Sequence, residues 1–496
     1  MESIQAAASY ILSVQGIALI VLGTVLGITM GAIPGLTGAM LIALTLPLTF
    51  SMDPIFAFIL LISMYVGAVS GGLITATLLR MPGTPASIMT TMDGFPMARA
   101  GKPGRALGLG ITASFVGGMI SWLFLITLSA PIARYSTKLG PFDFFSLVLL
   151  ALVLIASIGG KSLSRSFFSA SLGLLASLPG IDKATGNLRL TLGYEELNGG
   201  LKLLPVLIGM FAISQVISDI SRINEKITVI PLNRTRENFF KLRDWKQQAV
   251  NLIRSSLIGT WIGILPGVGA NIGSVTAYSA ARSVASPEER DKFGKGSEIA
   301  IVASESANNA TVGGALIPLV SLGIPGSVID AILLGGLLIH GLQPGPLLFQ
   351  QNPEMVYTIM GSMFVANVFM FVFMVFGARY LARLAEIPRA LLMPAILVFC
   401  IIGSFALSTR MFDVWTMLVF GLLGFGFERA KIPLAPFVIG FILAPVAEEN
   451  LSIGLMASNG SYLPIIQSPF SLIFVVCSIV LLFTPIYRRY RYGSRP

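Results

Sequence analysis

Two interruptions of apolar sequence carry residue types suited to holding a small ligand. Met-Pro-Gly-Thr-Pro-Ala-Ser at 81–87 returns in shortened form as Gly-Ile-Pro-Gly-Ser at 323–327. Proline lacks an N–H and clashes with the preceding turn, while glycine adopts backbone angles closed to other residues, so each stretch should end one helix and start another. A second pair of breaks reads Gly-Ala-Ile-Pro-Gly-Leu-Thr-Gly at 31–38 and Gly-Ile-Leu-Pro-Gly-Val-Gly-Ala at 263–270. Within hydrocarbon, the backbone groups freed by such breaks survive only where they are buried in protein or line an aqueous cavity. Half-helix N-termini present N–H groups and a positive dipole end to an anion, and freed carbonyls can hold a cation. The candidate ligand-binding residues are therefore Pro34, Gly35, Thr37, Gly38, Pro82, Gly83, Thr84, Pro85, Ser87, Pro266, Gly267, Gly269, Asn271, Pro325, Gly326 and Ser327. Helix capping is the structural alternative for the hydroxyls of Thr84, Ser87 and Ser327, and it is compatible with binding.

Arg80 immediately precedes the first of these breaks. A guanidinium in apolar surroundings needs a partner or a substrate, and it suits a carboxylate through paired hydrogen bonds. Snorkelling to the cytoplasmic interface and pairing with Asp93 are the alternatives. Glu305, Asn308 and Asn309, in Ala-Ser-Glu-Ser-Ala-Asn-Asn-Ala, form a second polar cluster. Oxygens of this kind can hold Na+, with Asn308 and Asn309 as the ligands, or Glu305 can carry a proton. Hydrogen bonding between helices is the structural alternative for the asparagines. Asp330 and the pair Glu448 and Glu449 are further acidic candidates; the pair is expected at the outer interface as solvated charges, with docking of an external partner as the other reading.

The elements that must position these groups are membrane helices. Of the 496 residues, 54% are hydrophobic and 11% charged, against about a quarter charged in a soluble domain. Apolar runs repeatedly approach the roughly 20 residues that cross the hydrocarbon core as helix, so the fold is expected to be all-α and polytopic, with about 11–12 spans. Cys400 and Cys477 lie in apolar segments and are expected as core or lipid-facing residues rather than as a disulfide, and the single histidine, His340, argues against a histidine-built metal site. The N-terminus lacks the basic region of a cleavable signal peptide and is read as part of the mature chain. A net charge of +10 raises the question of nucleic acid, but the basic residues cluster in loops beside apolar spans, where the positive-inside rule accounts for them.

The chain reads as an internal duplication. The 31–38 motif matches 263–270 at an offset of 232 residues, and 71–84 matches 313–327 at an offset of 242 to 243. This divides the chain into a first membrane repeat (1–221), a basic cytoplasmic connection (222–254) and a second repeat (255–496). In the first repeat, Arg99, Lys102 and Arg105 mark a cytoplasmic loop, whereas the loop at 51–54 has no Lys or Arg. In the second, Arg282, Arg290, Lys292 and Lys295 mark the loop near 286–298, whereas 341–354 has none. The signs swap between halves, as an inverted-topology repeat predicts. Residues 255–281 then form a re-entrant hairpin with Pro266 and Gly267 near its tip, and residues 11–50 form either a similar hairpin or a span plus a half helix. Further spans are expected near 106–130, 141–160, 163–180 and 203–221, and again near 355–379, 391–408, 413–428, 432–447 and 468–487. This topology places the N-terminus outside and the C-terminus, with Arg488, Arg489, Arg491 and Arg495, inside; it also places Arg134 and Lys138 outside.

A family resemblance rests on Pro-Gly-Leu-Thr-Gly, Met-Tyr-Val-Gly-Ala-Val-Ser-Gly-Gly, Pro-Gly-Thr-Pro-Ala-Ser with Asp-Gly-Phe-Pro-Met-Ala, Pro-Gly-Val-Gly-Ala-Asn, Glu-Ser-Ala-Asn-Asn-Ala and Leu-Gly-Ile-Pro-Gly-Ser. In these motifs, spread over about residues 16–485, the chain resembles the large membrane subunit of the tripartite tricarboxylate transporters. The resemblance implies a permease of the bacterial inner membrane that works with a small membrane subunit and a periplasmic solute-binding protein. It would import citrate or another carboxylate with Na+ or H+ as coupling ion and without other cofactors. One position departs from the pattern: the family usually carries asparagine where this chain has Arg80. ATP hydrolysis is disfavoured, since Gly-Lys-Gly-Ser at 294–297 lacks the phosphate-loop spacing. The rival readings are a gradient-independent channel, a permease for another small organic anion, a membrane scaffold and an intramembrane enzyme, for which no nucleophile motif or aspartate cluster is evident.

Overall fold

Glycines spaced four apart let two helices approach until their backbones touch, and in this chain such glycines decide which helices are neighbours. The computed structural model describes residues 2–33, 35–158, 162–182, 185–220, 241–384, 389–406 and 408–492. Pro34, Lys161, Arg495 and residues 222–240 of the basic connection lie outside the described residues. The first repeat runs through α1 (Glu2–Leu12), α2 (Val14–Gly31), α3 (Gly38–Thr49), α4 (Pro54–Leu79), α5 (Ile88–Arg99), α6 (Pro103–Ser136), α7 (Pro141–Ile158), α8 (Leu163–Ser177) and α9 (Leu203–Ile220). The second runs through α10 (Leu242–Ile264), α11 (Gly269–Val284), α12 (Glu298–Leu322), α13 (Val328–Ile339), α14 (Pro353–Leu384), α15 (Arg389–Ala406), α16 (Met411–Arg429), α17 (Leu434–Ala457) and α18 (Pro469–Tyr492). The protein is all-α and polytopic. Seven of the described helices are long and apolar enough to cross a membrane, and five shorter apolar helices accompany them. Strand is confined, among the described residues, to Gly180–Ile181 (β1) paired with Leu188–Arg189 (β2), a hairpin the sequence did not announce.

One helix pair recurs contact for contact in the two halves. A Cβ placed on Gly27 would stand 2.4 Å from the Met64 carbonyl oxygen, and one on Gly31 would stand 2.3 Å from that of Ala68. Their counterparts at the 232-residue offset, Gly259 and Gly263, would stand 2.3 Å and 2.6 Å from the carbonyl oxygens of Ala307 and Thr311. Those two residues lie 243 positions beyond Met64 and Ala68. The helix pair α2 and α4 is thus rebuilt as α10 and α12, with backbone resting on backbone.

Loop contacts show how the repeats are oriented. Arg105, after α5, donates to Asp244 at the start of α10 and to Glu298 at the start of α12, the latter at 2.6 and 2.8 Å. The basic loop of the first repeat therefore shares a face with the start of the second. On the opposite face, Thr49 Oγ1 lies 3.3 Å from His340 Nε2, and Tyr10 packs edge-on against Phe56. Accordingly α4 and α12 run antiparallel, and the hairpin of α2 and α3 enters from the face opposite to that of α10 and α11. Gly273 of α11 comes back alongside Gly259 of α10, which closes the second hairpin.

Isolated prolines do not break helices here. α6 continues through Pro131 to Ser136, beyond the stop expected at 130, and α17 passes Pro445 and reaches Ala457, ten residues past its expected end. One missing N–H is tolerated when neighbouring groups re-satisfy the turn. At the four breaks the helices stop where glycine and proline stand close together. Replacing Gly259 with leucine is expected to push α10 off α12 and destabilise the protein by about 3 kcal/mol. Replacing Gly426, which has open space around it, should cost little; thermal unfolding of the two variants in detergent checks this.

Candidate functional site

The breaks pair within each repeat, and the helices that follow them meet across the repeats. A Cβ on Gly83 would stand 2.1 Å from the carbonyl oxygen of Gly31, so the 81–87 loop rests on the end of α2. A Cβ on Gly326 would stand 2.7 Å from the carbonyl oxygen of Gly263, the equivalent contact in the second repeat. The repeats then join crosswise. Gly38, which opens α3, lies against Ile329 in the first turn of α13, and the Pro85–Ser87 turn that opens α5 packs against α11.

Local chemistry fixes the helix starts at these breaks. Thr37 caps α3 by accepting from the Met40 N–H at 3.2 Å, and Ser327 caps α13 by accepting from the Asp330 N–H at 3.4 Å. Thr84 and Ser87 bond to each other at 3.0 Å, next to Gly72. Gly35 adopts φ +94°, a region closed to most side chains, and a Cβ there would stand 2.8 Å from the carboxylate of Asp219. Gly267, at φ +71°, seats the second hairpin tip against Ile155 of α7. Pro325 and Gly326 are buried and Ser327 half-buried, whereas Pro82 and Asn271 are exposed.

The polar cluster on α12 joins the two break-bearing helices. Ser70 of α4 donates to Asn309 Oδ1 at 2.6 Å, and Asn308 Nδ2 donates to the Val69 carbonyl at 3.4 Å. Glu305 is fully buried and accepts from Thr90 of α5 and, at 3.3 Å, from Ser114 of α6. The bonding of the asparagines to α4 is the interhelical role that was the structural alternative for them. The Asn308 Oδ1 atom is buried and has no hydrogen-bond partner among the described residues.

Arg80 is not buried as its apolar context implied. It is exposed, its guanidinium lies 5.9 Å from the centroid of the Phe95 ring, and it ends α4 in the left-handed conformation at φ 56°. The pairing with Asp93 is not formed. Asp93 Oδ1 accepts from the N–H groups of Gly294, Gly296 and Ser297 at 2.7–3.0 Å, and Oδ2 accepts from Tyr278 at 2.9 Å. The residue that ends α12 at the matching place is Gly323, at φ 71°. An asparagine at position 80, which the resemblance led one to expect, would suit that geometry, because asparagine enters the left-handed region at lower cost.

Sequence reasoning passed over Tyr65, Asp219, Thr90 and Ser114. Tyr65 OH lies 3.2 Å from Ser327 Oγ and donates to Asp330 Oδ2 at 3.4 Å. Asp219 could have been found as a carboxylate at the end of an apolar span; the others are ordinary residues of apolar helices and carry no signal of their own.

Broken membrane helices matched between two halves of a chain are a feature of membrane transport proteins. Residues 17–439 match the tripartite tricarboxylate transporter TctA family. Relatives in Agrobacterium vitis include the "Uncharacterized 52.8 kDa protein in TAR-I ttuC' 3'region", 32% identical over 448 residues, which covers 90% of this chain and 88% of that protein. A second, the "Uncharacterized protein in TAR-II ttuC' 3'region", is 32% identical over 212 residues, covering 42% of this chain and 86% of the relative. No solved structure matches. The chain belongs to the TctA family and is a membrane component of tricarboxylate transport.

Two outcomes follow from this geometry. Arg80→Asn is expected to stabilise the protein by about 1 kcal/mol by relieving the left-handed cap, read as a higher midpoint of thermal unfolding. A double-mutant cycle on Ser70→Ala and Asn309→Ala should give a coupling of about 0.6 kcal/mol, and no more than about 1.7, typical of hydrogen bonds between membrane helices.

Proposed function

We propose that the chain is the permease subunit of an ion-coupled secondary importer for a tricarboxylate or related carboxylate, and that it acts as a carrier and not as an enzyme. The matched helix breaks, joined across the repeats by the helices that follow them, are the observation that supports this most. The start of α3 lies against the start of α13, and the turn that opens α5 packs against α11, so helix starts of the two repeats adjoin, and N–H groups and positive dipole ends there would face an anion. A carboxylate bound there would draw donors from each repeat, and the helices that carry those donors belong to two inverted halves that can rock against each other. Glu305, Asn308 and Asn309, bonded to α4, α5 and α6, would hold the coupling ion, Na+ or H+.

The proposed setting is the bacterial inner membrane. The basic loops that meet at Arg105, Asp244 and Glu298 would face the cytoplasm, and the N-terminus and the 51–54 loop would face the periplasm. A solute-binding protein would deliver the carboxylate to that outer face, and a small membrane subunit would complete the assembly.

Uptake of labelled citrate and a panel of dicarboxylates by vesicles holding the chain and its two proposed partners, under imposed Na+ or pH gradients, tests this reading. Concentrative uptake driven by one gradient is expected. Uptake that persists after the gradient is collapsed would replace the carrier with a channel. Gly83→Leu and Gly326→Leu, each of which forces one break off its partner, are expected to abolish flux, whereas Gly426→Leu should retain it.

A further inference from the structure

The N–H of Asp330 serves the Ser327 cap of α13, while its side chain is fully buried and lies outside that cap bond. Its Oδ2 accepts from Tyr65 at 3.4 Å, and Oδ1 has no hydrogen-bond partner among the described residues. No Lys or Arg pairs with it among the described residues. A carboxylate buried without a countercharge is costly, and proteins retain such groups where a proton or a metal ion supplies the missing charge.

The repeats supply a control. At the 243-residue offset, Asp330 corresponds to Ser87, Ser327 to Thr84 and Tyr65 to Asn308. The first repeat starts the corresponding helix with two hydroxyls bonded to each other and no carboxylate. A carboxylate at this place is therefore not something the fold requires.

From this arrangement we infer that Asp330, Ser327 and Tyr65 form a Na+ site distinct from the cluster at Glu305, Asn308 and Asn309. The oxygens of Tyr65 and Ser327 are 3.2 Å apart, and those of Tyr65 and Asp330 are 3.4 Å apart. Such separations suit adjacent ligands of an ion that, like Ca2+, takes oxygens at about 2.3–2.6 Å. A single carboxylate in the first turn of α13, partly compensated by the positive helix end, suits a monovalent ion held loosely enough to be released. The site also spans the repeats: Tyr65 comes from α4, and Ser327 and Asp330 from the start of α13, which lies against the start of α3. Na+ bound here would tie the halves together beside the proposed anion site and offset part of the anion's charge. The inference extends the ion-coupled reading above, resting on it only for the ion's role in transport and not for its binding.

The test is equilibrium binding of radiolabelled Na+ to the purified full-length chain in nanodiscs, without carboxylate. Wild type is expected to bind Na+ saturably, and Asp330→Asn to lose one equivalent per chain. Tyr65→Phe, which keeps the packing, should weaken that equivalent about tenfold, as loss of one charge-assisted contact does. Glu305→Gln should retain it. The site is overturned if wild type binds no Na+, or if either Asp330→Asn or Tyr65→Phe leaves both the number and the affinity of bound ions unchanged. Because no flux is measured, a chain that binds Na+ here but imports no carboxylate would keep the site and remove the transport reading.

Discussion

Every backbone N–H and C=O within hydrocarbon must find a partner, and this chain breaks four helices where water is scarce. That constraint explains the rest of the architecture. Each loop of freed backbone rests on another loop: residue 83 on Gly31, residue 326 on Gly263, and the starts of α3 and α13 on each other. Such approaches are possible only where no Cβ intervenes, which is why the glycines at 27, 31, 259 and 263 decide the packing of whole helices. The anion-binding capacity proposed for these breaks follows from the same constraint, since the first N–H groups of each helix have no partner within it.

The two repeats share a backbone plan but not their chemistry. The contacts of α2 with α4 and of α10 with α12 correspond atom by atom, yet Glu305, Asp330 and the two asparagines all come from the second repeat. The first repeat answers with hydroxyls: Ser70 to Asn309, Thr90 to Glu305, and Tyr65 to Asp330. Acidic side chain and hydroxyl thus meet across the boundary between the halves. A duplicated scaffold that has lost its chemical symmetry in this way can bind an anion along one set of contacts and a cation along another.

Much of this was legible in the sequence, and the reason is local. Adjacent glycine and proline mark a helix end wherever they occur, so all four breaks were found, and the swap of charged loops predicted the antiparallel run of α4 and α12 that Arg105 and His340 reveal. Lone prolines were less informative: Pro131 sits inside α6, and no rule of spacing distinguishes it from a stop. The cross-repeat contacts were not legible. Ser70 and Asn309, or Tyr65 and Asp330, lie well over two hundred residues apart, and each looks like an ordinary side chain in its own helix. Arg80 misled for a different reason. Apolar neighbours in sequence suggested burial, but a left-handed cap turns its side chain out toward Phe95.

The central claim is that helix starts from both repeats serve one carboxylate. Cryo-electron microscopy of the chain in nanodiscs with saturating citrate tests it most directly. The account predicts ligand density at the breaks, within hydrogen-bond distance of N–H groups from at least one helix start of each repeat. Density bounded by a single repeat, or located away from all four breaks, would contradict it.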